Sequence, residues 1–114
     1  MCRAVRVLCV GEDEATVAHL RRATVAAEWE LTETATTESE ALGLVDRERP
    51  HALVVFGDFE RLVALVCDRF PGIRIVTDRP ARGASAVVTS ADEVREALRA
   101  LGRPGGPVRT PIEG

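Results

Sequence analysis

The sequence predicts an α/β fold: a doubly wound, five-stranded parallel sheet with helices on both faces. Three observations predict it. Short apolar runs such as Val5–Val10 and Ala52–Phe56 are the mark of strands covered on both sides. The stretches between them carry apolar residues at helical spacing and open on capping residues. Strands that alternate with helices in this way pair in parallel, because a parallel crossover needs a helix-length connection.

Val5–Val10 is the first strand. Gly11, Glu12 and Asp13 turn the chain, and Asp13 is placed to cap a helix running to about Ala27, with Val17, Leu20, Thr24 and Ala27 along one face. Leu31–Thr36 alternates weakly and is expected as an edge strand. Thr37-Glu-Ser-Glu40 fits a capping box, Thr37 accepting from an early helix N–H while Glu40 reaches back to the Thr37 N–H. The helix it opens turns Ala41, Leu42 and Val45 inward and must stop before Pro50. Ala52–Phe56 is the third strand and Gly57-Asp58-Phe59 the loop after it. Glu60–Phe70 carries Val63, Val66 and Phe70 at helical spacing and is closed by Pro71-Gly72. Ile73–Thr77 is the fourth strand and Ala86–Thr89 the fifth. Between them, Asp78–Ala84 contains Pro80 and Gly83, so the fourth helix of a regular alternation is shortened or absent. Ser90-Ala-Asp-Glu93 is a second capping-box match and opens a final helix to about Leu101. From Gly102 proline and glycine take over. A domain is therefore expected over residues 1–101, followed by a Pro/Gly-rich tail over 102–114.

At 114 residues, 46% of them hydrophobic, the chain is long enough for one real core and too short for two. Aromatics make up only 4%, so that core rests on Val, Leu, Ala and Ile. The formal charge is −3, with Arg interspersed among Glu and Asp, which provides no basic field for direct nucleic-acid binding. No run approaches the roughly 18 consecutive apolar residues of a membrane span, and no signal peptide is recognisable, so a cytoplasmic protein without membrane attachment is expected. Cys2, Cys9 and Cys67 have no metal-type spacing and read as small buried hydrophobes. Trp29 reads as packing at a helix end. His19 and His51 have no acid or nucleophile beside them in sequence.

Several patterns between residues 5 and 101 resemble the bacterial response-regulator receiver family, whose fold is flavodoxin-like. Arg6-Val-Leu-Cys-Val-Gly-Glu-Asp-Glu14 resembles its first strand and acidic turn. Pro50-His-Ala-Leu-Val-Val55 resembles its proline-led third strand, Pro71-Gly-Ile-Arg-Ile-Val-Thr77 its fourth, and Gly83-Ala-Ser-Ala-Val-Val-Thr89 the segment leading into its fifth. The resemblance implies a signalling domain with a phosphoryl pocket at the strand ends, here holding Glu12, Asp13, Phe56, Asp58, Thr77 and Ser90.

At those positions the family's chemistry is missing. Two adjacent acids hold magnesium in the family; here Gly11 and Glu12 occupy the places, with Asp13 following. The acceptor aspartate aligns with Phe56 and the lysine after the fifth strand with Ser90; only Thr77 matches. Phosphoryl transfer needs an oxygen nucleophile and cations on the transferring group, and a phenyl ring supplies neither. The reading is a pseudo-receiver: no catalytic residues, no cofactor, no resident metal, and function through protein–protein binding in trans, with a protein partner or a second copy of the chain. Because the helix after the fourth strand is curtailed, the expected contact surface is Val87 together with Val94, Leu98 and Leu101 on the final helix.

Three other readings compete. Asp58, two residues beyond Phe56, is an alternative phosphoryl acceptor. Glu12, Asp13 and Asp58 are three carboxylates at strand ends, a set that suits a hard divalent cation. Cys9 stands near the end of the first strand, where small α/β phosphoryl-transfer enzymes carry a nucleophilic cysteine. The loop after it has three acids, one glycine and no arginine, and so repels phosphate. Gly11 alone does not make a dinucleotide-binding loop.

Overall fold

All five expected strands form one parallel sheet in the computed structural model, which describes residues 5–26 and 29–102. In chain order the elements are β1 (Val5–Gly11), α1 (Glu14–Thr24), β2 (Trp29–Leu31), α2 (Glu38–Glu48), β3 (Ala52–Phe56), α3 (Glu60–Arg69), β4 (Arg74–Thr77), β5 (Ala86–Val87), a 3-10 turn over Ala91–Glu93, and α4 (Val94–Gly102). The sheet order is β2-β1-β3-β4-β5. The expected Ala27 end of the first helix and the tail beyond Gly102 lie outside the described residues.

The pleat sorts the core. In β3, Leu53 and Val55 face one side, where they join Leu8, Val10 and Ile75 under α2 and α3. Ala52, Val54 and Phe56 face the other, with Val7, Cys9 and Val76 against Leu20 of α1 and Val94 and Leu98 of α4. Both faces of the central strands are covered, which is why their sequences read as unbroken apolar runs.

Several elements differ from the sequence expectation in instructive ways. β2 pairs with β1 over Trp29–Leu31, not Leu31–Thr36, and only Ala35 returns to the sheet, as a single bridge to Val10. The Trp29 indole donates to the Thr24 carbonyl at 2.7 Å, which ties the start of β2 to the last turn of α1. In α2 it is Leu44 that is buried with Ala41 and Val45, while Leu42 is half-buried. Both capping boxes are shifted by one residue on the acidic side. Thr37 accepts from the Glu40 N–H at 3.2 Å, but the Glu40 carboxylate takes the Thr36 N–H at 3.1 Å. Likewise Glu93 accepts from the Thr89 N–H at 2.8 Å, and Ser90 makes no side-chain cap. β5 ends at Val87, two residues earlier than expected, opposite Thr77 at the end of β4.

Residues 78–85 form no helix between β4 and β5. The chain returns by short bonds of its own, Ala84 N–H to Ala81 carbonyl and Ser85 N–H to Ile75 carbonyl. Without a helix over this corner, Val87 is left 50% exposed. The neighbouring expectation needs correction: Val94 and Leu98 are 0% and 6% exposed, so they belong to the core and not to a contact surface. The α4 stripe closes the face that β1, β3 and β4 present, a demand the missing helix does not relieve. The Leu101 side chain lies outside the described residues.

Two helix starts are open to measurement. Thr37→Ala is expected to cost about 1 kcal/mol of stability, since it orphans a first-turn N–H. Asp13 accepts from the Thr16 N–H at 2.8 Å, and that backbone bond holds its carboxyl below the ordinary aspartate range. A lowered folded value adds stability above the ordinary aspartate pKa that is lost as pH falls through the lowered one. Asp13→Ala should therefore be less stable than the parent at neutral pH, and the gap should close in acid. Denaturant unfolding from about pH 6 down to about pH 2 checks this.

Candidate functional site

Parallel strands bring their carboxyl ends to one edge of the sheet, where an α/β domain keeps its ligand crevice. Here that edge is set by Gly11, paired across from Phe56, and by Val55, paired with Thr77. Gly11 permits the close approach of α1. A Cβ at that position would stand 2.9 Å from Thr16 Cγ2 and 3.0 Å from Val17 Cγ2. An acid in the first of the two magnesium-binding places would therefore have to displace the Thr16 and Val17 side chains.

Phe56 is half-buried and packs against the cluster of Val54, Val76 and Val94 on the α1 and α4 side of the sheet. The next residue, Gly57, has φ 121°, and a Cβ there would run into the Glu12 side chain. Only glycine fits both demands. Glu12 lies across this turn, and its Oε2 accepts from the Asp58 N–H at 3.0 Å. From the other side Asp78 Oδ1 accepts from the Gly57 N–H at 3.2 Å, and the Asp78 N–H donates to the Val55 carbonyl at 3.3 Å.

Arg79 joins this corner. Its Nε donates to Asp78 Oδ1 at 3.2 Å, and that bond, with the charge of Asp78 and then of Glu12 and Asp58, raises the guanidinium pKa further. Thr77 is buried, and its hydroxyl donates to the Arg79 carbonyl at 2.6 Å. Between the turn, α3 and the start of the 78–85 segment is a small cleft of about 80 Å³, bordered by Val55, Gly57, Asp58, Thr77, Arg79 and Ala81.

Of the residues singled out in the sequence, Glu12, Asp58 and Thr77 meet at this corner, and Phe56 borders it from the opposite face of β3. Asp13 is turned away to cap α1, and Ser90 is exposed on the turn after β5. The three-carboxylate cation set does not assemble: among the described residues no group of three His, Cys, Asp or Glu side chains converges. Asp13 is held by α1, and the Glu12 carboxylate is committed to a backbone amide. Asp78 and Arg79 were legible only as part of a link; the signal available was two charged residues directly after the end of an apolar strand.

Cys9 is 1% exposed, and burial pushes its thiol up to about 12. It lies within β1, two residues short of the strand end, where the thiolate a nucleophile needs is suppressed. Cys67, expected to be buried, is exposed on α3. Among the described residues no helix is long and apolar enough to cross a membrane.

No family model matches the chain and no curated protein matches it. Solved structures do. The signal receiver domain of an HD domain-containing protein from Pseudomonas fluorescens Pf-5 superposes with a TM-score of 0.71 at 18% identity, over 85% of this chain and 93% of that one. The response regulator domain of Thermotoga maritima CheB gives 0.73 at 16% identity, over 85% and 95%. A CheY-like response regulator receiver domain protein from Methanospirillum hungatei JF-1 gives 0.69 at 19% identity, over 85% and 92%. At these identities the likeness carries the path of the backbone and not the chemistry of its strand ends. With the strand order, parallel register and helix placement described above, it establishes that this chain has the fold of the response-regulator receiver domains.

Proposed function

We propose that the chain is a pseudo-receiver, a signalling module that works by binding a protein in trans and without being phosphorylated. The observation that carries this reading is Phe56. It ends β3 where a receiver presents its acceptor carboxylate, and it is half-buried against the core cluster on the α1 and α4 side of the sheet. The closure of Gly11 onto Thr16 and Val17 supports the same reading, because a metal-binding acid there would have to displace both side chains. Treatment with acetyl phosphate and magnesium is expected to leave the intact mass unchanged.

A second reading rests on Asp58, which borders the cleft together with Thr77 and Arg79. An oxygen nucleophile, a hydroxyl and a cation at one corner are the parts phosphoryl transfer uses. A one-phosphate adduct abolished by Asp58→Ala would establish that reading and overturn the first.

Restoring the acceptor as Phe56→Asp is expected to cost about 2 kcal/mol, because ring contacts are lost and a carboxylate is set against apolar neighbours. Unchanged unfolding would place Phe56 outside the packing described for it.

The contact surface is best sought at β5. Val94 and Leu98 are consumed by the core, whereas Val87 is exposed and Ala84–Ser90 carries no charge, proline or glycine. Such an edge is open to another strand. Val87→Lys is expected to change stability by no more than about 0.5 kcal/mol while weakening self-association in sedimentation or capture of a partner in pull-downs. If neither changes, the β5 edge is not the contact.

A further inference from the structure

The turn between β3 and α3 is gripped from two directions. Its Gly57 N–H goes to Asp78 at the end of β4, and the next one, the Asp58 N–H, goes to Glu12 at the end of β1. Two consecutive amides thus reach carboxylates on opposite sides, and three strand ends are joined through two residues. The φ of 121° at Gly57 and the Glu12 side chain lying over it are the geometry this grip requires. Arg79, bonded to the same Asp78 oxygen and felt by Glu12 and Asp58, offsets the repulsion among three carboxylates. Beyond these bonds the turn is held through Phe59, which packs against the core under α3. Phe59 caps α3 without a side-chain bond, and the Phe59 N–H only returns to the Gly57 carbonyl.

We propose that Glu12 and Asp78 are the two halves of a latch on the β3–α3 turn, and that release of the turn as a unit is the conformational change available to this domain. The Asp78 half also anchors the 78–85 segment. That segment meets α3 at Gly83, where a Cβ would stand 2.8 Å from the Cys67 Cβ. Opening the latch therefore loosens the segment from α3 and widens the cleft bordered by Gly57, Val63 and Ala81. The latch is a property of the turn itself and holds whichever partner the domain binds.

Amide hydrogen exchange of the full chain, followed by NMR at Gly57 and Asp58, tests this in the parent, Glu12→Ala and Asp78→Ala. A latch predicts that either variant speeds exchange at both amides by roughly tenfold or more, while core amides such as Val54 keep their parent rates. If each variant speeds only the amide whose own acceptor was removed, the two bonds are independent and the latch is refuted. Should an alanine variant fail to fold, Glu12→Met and Asp78→Leu, which keep side-chain bulk and remove the acceptor oxygens, are judged by the same two-amide criterion. Phosphorylation plays no part in this readout, so its outcome and that of the acetyl phosphate experiment are separable.

Discussion

The register between β1 and β3 is the constraint on which the rest of the molecule depends. Val7 pairs with Ala52 and the pairing runs without a slip to Gly11 and Phe56. Since side chains alternate across a sheet, that single alignment decides which residues meet α2 and α3 and which meet α1 and α4. It also brings the ends of the two strands level, so that Glu12 reaches the turn after Phe56. A slip of one residue would turn Phe56 to the α2 and α3 face and lift Glu12 away from Asp58. Core packing and the geometry of the strand ends are thus one decision.

The corner built on this register has exchanged one kind of order for another. A receiver pocket gathers free carboxylates around an ion. Here Asp13 serves a helix start, Glu12 a backbone amide, and Asp78 both an amide and a guanidinium. Each of these three acids has a partner within the protein, and the positive charge beside them is covalently attached as Arg79. Exposed ion pairs such as Arg79 with Asp78 contribute little to global stability; their effect is local, on the shape of one turn.

Much of the fold was legible because the central strands are buried on both faces, so Ala52–Phe56 and the body of β1 advertise themselves as apolar runs. Helix starts were legible for the same local reason, a side chain acting on an amide three residues on, as with Asp13 and Thr37. What failed was whatever depends on which of several nearby groups a side chain chooses, or on packing between elements. At β2 the Trp29 indole bonds the Thr24 carbonyl, and the Glu40 and Glu93 carboxylates each reach one residue further back than the motif predicts. The apolar stripe of α4 could not reveal from spacing alone that Val94 and Leu98 are needed by β1, β3 and β4. At the site, Phe56 and Thr77 were readable from the strand ends. Asp78 and Arg79 were hidden, since nothing in a loop sequence says which amide 21 residues earlier a carboxylate will find.

Gly11 carries a consequence for any route between this domain and one with working phosphoryl chemistry. Its missing side chain is occupied space: the methyls of Thr16 and Val17 stand where a Cβ would be, on β-branched residues whose rotamers a helix restricts. An acid introduced there first meets a clash, and smaller residues at 16 and 17 introduced first leave a void beside β1. Either order passes through a less stable intermediate, and Gly57 with Glu12 repeats the difficulty across the turn. The path back is a sequence of coupled steps with no favourable first move, so loss of the pocket behaves as a one-way door.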